Sequence, residues 1–162
     1  MWLSIFYYAA VIIILFYLAV TITKFREIPP SISETYYMWK EIGKEWVFTC
    51  VMWVTGLSIL IYWVSIATNY RCQFLSFFSV AGMCFVGGAC MFKETLTKET
   101  HYFSAFIWAI GATLFFIVNG LYMPILIGFL TGLAGFLLNR RNLTFWAEIA
   151  CVVMMVTGIF LL

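Results

Sequence analysis

One histidine and seven glutamates are the residues of this 162-residue chain that are suited to acid-base chemistry, and aspartate is absent from the sequence. A catalytic histidine needs a carboxylate that orients one ring nitrogen and leaves the other free for proton transfer. Glu34 and Glu99 are the carboxylates that we expect near His101. Glu34, Glu99 and His101 are therefore the candidate catalytic residues, and the alternative is that His101 contacts a lipid headgroup or the backbone.

Glu148 differs from the other glutamates because it lies inside an apolar run, FWAEIACVVMMVTG. Placing an ionised side chain at membrane depth costs about 2 to 3 kcal/mol even on lenient insertion scales, so such a residue is a functional-site hypothesis. The alternative is that Glu148 reaches the nearby interface or pairs with Arg140 or Arg141. Both interpretations stay open at this point.

Recognisable catalytic motifs are absent from the sequence. There is no GxSxG, no HExxH, no P-loop and no glycine-rich dinucleotide fingerprint. A single histidine excludes a multi-histidine metal site within one chain, and we predict no metal and no other cofactor. The five cysteines form no CxxC pair and are expected to be small buried side chains rather than disulfides. They are Cys50, Cys72, Cys84, Cys90 and Cys151.

The composition is that of a membrane protein. Apolar residues make up 65% of the chain, charged residues 10%, and the mean hydropathy is +1.03, whereas about a quarter of residues are charged in soluble domains. The net charge of +2 is too small to indicate nucleic-acid binding. The N-terminus lacks a basic segment and a cleavage site, so we expect a retained first helix. Residues 1–162 are predicted to form a single transmembrane domain.

Six apolar segments are long enough to be considered membrane spans. They are predicted to be helices, because a bilayer offers no partner for unpaired backbone groups. Asn119-Gly120 predicts a tight turn between the fourth and fifth segments, with Pro124 tolerated in the next first turn. The fold class is therefore an all-α bundle of six transmembrane helices. The predicted spans are residues 2–22, 46–67, 73–92, 102–118, 121–138 and 144–162.

The cations indicate an orientation. Eight of them lie before or in the first, third and fifth loops, against Arg71 alone in the second loop. The positive-inside rule then places loops one, three and five in the cytoplasm and both termini outside. We predict an integral protein of a bacterial cytoplasmic membrane. The eight cations are Lys24, Arg26, Lys40, Lys44, Lys93, Lys98, Arg140 and Arg141.

The first loop contains a capping box, Ser31-Ile-Ser-Glu34. The Ser31 hydroxyl is expected to accept from the Glu34 amide while the Glu34 carboxylate returns to the Ser31 amide, which predicts a helix start near Ile32. The following residues predict an amphipathic helix on the membrane surface with an aromatic belt of Tyr36, Tyr37, Trp39 and Trp46. The alternative is that Ser31, Ser33 and Glu34 bind a lipid headgroup or substrate.

Small residues mark where helices can approach closely. Gly128, Gly132 and Gly135 form a small face with a GxxxG spacing on the fifth span, and Ala105 with Ala109 forms a weaker one on the fourth. Homo-oligomerisation through the three glycines and packing within one chain explain this face equally well.

Three stretches together resemble the DRAM-like superfamily of six-span membrane proteins. These are PSISE at residues 30–34, His101 with GATLFF at residues 111–116, and Ala147-Glu148. That superfamily includes proteins of GPI-lipid remodelling, so the resemblance implies a six-helix bundle that senses, binds or remodels lipid. It also implies that Ser33, Glu34, His101 and Glu148 form the polar set. The resemblance implies a first loop facing away from the cytoplasm, and for orientation we follow the charge count instead.

The sequence thus favours a non-enzymatic lipid-binding or membrane-regulatory protein with a polar site at one membrane face. Membrane lipids are the predicted partners. The alternatives are a membrane enzyme acting on lipid headgroups through His101 and the glutamates, and an oligomeric transporter or channel. The predicted ligand-binding residues are Ser31, Ser33, Glu34, His101, Arg140, Arg141 and Glu148.

Overall fold

The structure, a computed structural model, describes residues 2–89 and 94–162, and the regular elements in these ranges are helical. Short 3-10 turns lie between helices at Ala67–Asn69 and Arg140–Asn142. The helices are α1 (Ser4–Phe25), α2 (Thr35–Lys40), α3 (Trp46–Ile66), α4 (Phe74–Ala89), α5 (Glu94–Val118), α6 (Tyr122–Leu138) and α7 (Leu143–Leu161).

Four segments are long and apolar enough to cross a membrane, namely Ser4–Phe25, Trp46–Asn69, Glu99–Val118 and Arg140–Leu161. This confirms a helical membrane protein. The two remaining long helices, α4 with 16 residues and α6 with 17, are apolar but shorter. At 1.5 Å rise per residue they reach about 25 Å, less than the roughly 30 Å hydrocarbon thickness. Six crossings therefore stay a prediction.

Helix α5 begins at Glu94, eight residues before the predicted start of the fourth span at residue 102. The sequence contains neither glycine nor proline between Gly88 and Gly111, so nothing breaks a helix that continues through the polar stretch. His101 therefore lies about two turns inside α5 rather than at its head. The predicted end of the third span, residues 90–92, lies outside the described residues.

Helices α4 and α5 pack backbone to backbone. A Cβ added at Gly82 would lie 2.7 Å from Ser104 O and from Trp108 N, and one at Gly111 would lie 3.1 Å from the Ser79 backbone. Ser79 Oγ donates to Trp108 O at 2.9 Å across the same contact. This close approach fixes the position of Trp108 and of the α5 face around it.

The glycines of α6 pack against α7 of the same chain. A Cβ at Gly128 would lie 2.8 Å from Ala150 O, one at Gly132 would lie 3.0 Å from Ala150 Cβ, and the ring of Trp146 fills the space at Gly135. The glycine face thus serves packing within the chain, which was one of its two predicted explanations. Homo-oligomerisation stays a prediction, but the glycine face no longer supports it because α7 of the same chain covers that face.

Helix α7 also contacts α1 and α5. Tyr7 Oη donates to Val156 O at 2.8 Å, Trp108 Nε1 donates to Met155 Sδ at 3.5 Å, and Phe116 covers Gly158. These contacts hold the C-terminal half of α7 against α1 and α5.

The turn at Asn119-Gly120 has the geometry of a Schellman motif. Gly120 has a φ of +72°, Gly120 N donates to Ile117 O at 3.0 Å, and Leu121 N donates to Phe116 O at 2.8 Å. Glycine suits this position because a left-handed conformation costs it nothing. The predicted tight turn is confirmed, and Pro124 lies in the first turn of α6 as expected.

The cysteine prediction is partly wrong. Cys84 and Cys151 are half-buried, but Cys50 and Cys72 are exposed on the protein surface, because they lie on a helix face and in a loop that no other element covers. These four thiols are free, as expected. Cys90 lies outside the described residues.

Candidate functional site

The first loop runs along the start of α7 and is bonded to it at regular steps. Alternate loop residues from Ile28 to Ile32 meet every third residue from Asn142 to Glu148. The register places the loop against one face of α7. The three bonds join Asn142 Nδ2 to Ile28 O at 2.8 Å, Phe145 N to Pro30 O at 3.0 Å, and Ile32 N to Glu148 Oε2.

Glu148 is the innermost of these contacts. Its carboxylate accepts from the Ile32 amide and, at 3.3 Å, from the Ser33 hydroxyl. The side chain is half-buried, whereas Arg140 and Arg141 are exposed. The described hydrogen-bond partners of Glu148 thus come from the first loop and not from Arg140 or Arg141, the partners considered in the alternative.

Ser31 forms the expected half of the capping box. Its Oγ accepts from Glu34 N at 2.9 Å and lies 2.9 Å from Ser33 Oγ. The other half is not formed among the described hydrogen bonds, since the Glu34 side chain is exposed. Helix α2 begins at Thr35, three residues after the predicted start, because residues 32–34 form turns in which Thr35 N donates to Ile32 O at 3.2 Å and Tyr36 N to Ser33 O at 3.1 Å.

Helix α2 packs into the bundle through two hydrogen bonds to α1. Tyr17 Oη donates to Thr35 Oγ1 at 2.6 Å, and Trp39 Nε1 donates to Thr21 Oγ1 at 3.0 Å. Trp39 is only 7% exposed and Tyr36 8% exposed. The aromatic-belt prediction is wrong for these two rings because they are core residues, while Tyr37 and Trp46 are exposed.

A cavity of about 750 Å³ lies between the first loop, α5 and α7. The residues that line the cavity from α5 lie on one face of that helix, and those from α7 lie on one face of α7. We call this cavity the α5–α7 cavity. It is lined by Pro30, Ser31, Ser33, Glu34 and Tyr37 from the first loop, His101, Tyr102, Ala105, Trp108 and Ala109 from α5, and Thr144, Ala147, Glu148 and Cys151 from α7.

Polarity in this cavity changes along the helix axes. The end nearest the first loop carries the serines, both carboxylates, His101 and Thr144. At 1.5 Å per residue, Trp108 and Ala109 lie about 10 Å beyond His101 on α5, and Cys151 lies about 5 Å beyond Glu148 on α7. One end of the cavity therefore suits a polar group and the other an apolar chain.

His101 is half-buried, and its Nδ1 is buried without a hydrogen-bond partner among the described residues. Glu99 is exposed and is not part of the cavity lining. Glu99 therefore does not form with Nδ1 of His101 the hydrogen bond that an acid-base mechanism would use. Glu34 lines the same cavity as His101 but does not bond to Nδ1.

The structure brings together five of the seven predicted ligand-binding residues. Ser31, Ser33, Glu34, His101 and Glu148 all line the α5–α7 cavity, and Arg140 and Arg141 do not. The two arginines lie in the 3-10 turn before α7 and are exposed.

Four further cavity residues were not predicted from the sequence, namely Tyr102, Trp108, Thr144 and Cys151. The signal that identifies them is helical spacing from residues already singled out, since Thr144 and Cys151 lie four before and three after Glu148. For metals, no group of three His, Cys, Asp or Glu side chains occurs within residues 2–89 and 94–162.

Comparison with protein-family models, with curated proteins and with solved structures found no match for this chain. The resemblance to the DRAM-like superfamily therefore rests on the residues of the sequence alone.

Proposed function

We propose that this protein is a non-enzymatic, six-span membrane protein that binds a lipid in the α5–α7 cavity, with the headgroup at the first-loop end. Binding of the lipid would change the position of the first loop, because this loop forms one wall of the cavity. The site residues in this proposal are Ser31, Ser33, Glu34, His101 and Glu148, all of which line the cavity.

The observation that carries the proposal is the change of polarity along the cavity. A lipid has a polar headgroup joined to an apolar chain, so it fits a cavity with carboxylates and hydroxyls at one end and Trp108 at the other. The order also matches a bilayer, since the polar end adjoins the loops and the apolar end lies deeper along α5 and α7.

Convergence of the residues that carry the family resemblance supports the same function. Pro30, Glu34, His101, Ala147 and Glu148 come from three separate stretches, and all of them line the α5–α7 cavity. A lipid-sensing or lipid-binding role, which the DRAM-like resemblance implies, would use these residues as one site.

A six-span topology is part of the proposal. Each of the shorter helices packs against a full-length span, α4 against α5 through Gly82 and α6 against α7 through Gly128. In this proposal, each shorter helix crosses the membrane beside the span that it packs against. A small local thinning of the bilayer compensates for its shorter length. The charge count then places the first loop and the cavity mouth in the cytoplasm of a bacterial cell.

The enzymatic alternative is the less supported one. In the enzymatic alternative, His101 would be oriented by a hydrogen bond from its ring to a carboxylate. Nδ1 of His101 makes no such bond among the described residues.

The test is to fill the cavity from its apolar wall and measure lipid that copurifies with the protein. Ala109→Phe places a phenyl group on the cavity face of α5, and the matched control Ile110→Phe places the same group on the adjacent exposed face. Native mass spectrometry in mild detergent is expected to show bound lipid in the wild type and in Ile110→Phe and about a tenfold loss in Ala109→Phe. Equal lipid content in the two variants would overturn the proposal.

A further inference from the structure

We infer that the headgroup recognised in the α5–α7 cavity carries a protonated amine. This inference rests on the proposed lipid-binding function and adds the chemical class of the ligand. The described residues that line the cavity include two carboxylates, Glu34 and Glu148, and neither lysine nor arginine. A cationic group is the complement of such a lining.

Glu148 has acceptor capacity left for a ligand. A carboxylate offers about four lone-pair sites, and Glu148 receives bonds from the Ile32 amide, the Ser33 amide and the Ser33 hydroxyl, which leaves about one site. A half-buried carboxylate gains most from a partner that brings a positive charge as well as a hydrogen bond, because the charge offsets its loss of hydration.

His101 supplies a third acceptor. Its Nδ1 is buried without a partner in the described part of the chain, and in the tautomer with the proton on Nε2 this atom accepts a hydrogen bond. An ammonium group has three N–H donors. Glu34 and Glu148 line the cavity with carboxylate acceptors, and Nδ1 of His101 becomes a third when the ring turns towards the cavity, since protein encloses this atom in the present rotamer.

The described lining of the cavity offers an anion neither lysine nor arginine. Anions are usually held by arginine, lysine or the free amides at a helix N-terminus. Here the first-turn amide of Phe145 on α7 already donates to Pro30 O, and the Ile32 amide already donates to Glu148. A phosphate at the inner polar end would therefore meet carboxylates without free donors from these two positions.

A lipid with a primary amine, such as phosphatidylethanolamine, combines this group with chains that fit the apolar end. A small soluble amine shares the headgroup chemistry and lacks the chains. The apolar wall formed by Trp108, Ala109 and Cys151 favours the lipid source.

The experiment is a competition between two lipids with identical acyl chains, phosphatidylethanolamine and phosphatidylglycerol, followed by native mass spectrometry of the intact protein. The wild type is expected to prefer the amine lipid by about tenfold, the effect of one charge-assisted hydrogen bond. Glu148→Gln keeps an acceptor for the Ile32 amide and should reduce the preference to near unity. Glu34→Gln changes an exposed side chain and should reduce it without any effect on folding.

The control is Glu99→Gln, which removes the same charge from an exposed position of α5 outside the cavity, and it should keep the wild-type preference. If the wild type retains lipid and Ala109→Phe displaces it, but the bound lipid shows no headgroup preference, the amine assignment is overturned. The lipid-binding proposal is then left intact. Absence of retained lipid in the wild type would overturn the lipid-binding proposal itself. Displacement of bound phosphatidylethanolamine by free ethanolamine would support the amine class and identify the headgroup as the dominant determinant.

Discussion

The two ends of the bundle join a loop to a helix in the same way but with different chemical groups. At one end Asn119 Oδ1 accepts from Arg71 N at 2.8 Å, while its Nδ2 donates to Arg71 O at 3.0 Å and to Phe115 O at 2.8 Å. At the other end the carboxylate of Glu148 binds the backbone and side chain of the first loop. Both contacts tie a loop to a membrane helix.

The difference lies in what surrounds each contact. The Asn119 amide is neutral, and the neighbouring cleft of about 430 Å³ is lined by Ile117, Tyr122, Ile125, Leu126 and Phe129. Glu148 instead opens into a cavity with a second carboxylate and a histidine. Asn119 shows that a neutral amide is enough to hold a loop. A carboxylate costs more to bury, and this cost is the reason for which we propose that Glu148 has a further role beyond holding the first loop.

The largest expected effect comes from separating α5 from α4, which would displace the wall of the polar cavity. Gly82→Ala puts a Cβ 2.7 Å from two backbone atoms of α5, Ser104 O and Trp108 N. We expect a loss of about 2 to 3 kcal/mol of stability, seen as a lower midpoint of thermal unfolding in detergent. Gly88→Ala on the same helix meets its nearest neighbour, Trp53, at 3.8 Å and should be neutral or slightly stabilising. Equal midpoints for the two variants would contradict the packing described for α4 and α5.

Removing the carboxylate that holds the first loop should have the next largest effect. Glu148→Ala leaves the Ile32 amide without its acceptor, at a cost of about 1 to 3 kcal/mol. Glu148→Gln retains an acceptor and should lose less stability. Thermal unfolding of both variants, with copurified lipid measured alongside, separates the two roles. Stability is expected to recover in the glutamine variant while the headgroup preference does not, and joint recovery would show that Glu148 has a structural role alone.

A smaller effect is expected at the opposite end. Asn119→Ala removes bonds to Arg71 and Phe115 at a partly exposed turn, so we expect a loss of about 1 kcal/mol. Because the α5–α7 cavity is at the other end, bound lipid should remain at the wild-type level in native mass spectrometry. Loss of lipid in Asn119→Ala would show that the two ends are coupled and would remove the contrast between them.

Much of the fold could be predicted because its signals are local. The Asn119-Gly120 turn follows from glycine's tolerance of positive φ, and the membrane helices follow from hydropathy. The cap at Ser31 was also correctly identified, since it depends on residues three positions apart. The early start of α5 could not be located from hydropathy, because polar helical turns and polar loops have similar compositions.

The site could be predicted only as a set of residues. Glu34, His101 and Glu148 were selected for their chemistry, and their convergence depends on how the first loop lies against α7. That placement is set by contacts such as Phe145 N with Pro30 O, which join residues 115 positions apart through backbone atoms that leave no signal in the sequence. The burial of Trp39 depends in the same way on Thr21 of α1.

The most direct test of the central claim is an experimental map of the protein in a bilayer containing phosphatidylethanolamine. The account predicts elongated density between α5 and α7, with its headgroup within hydrogen-bonding distance of Glu148 and His101 and its chain along Trp108. An empty cavity beside well-ordered lipid elsewhere on the surface, or a first loop detached from Glu148, would contradict it.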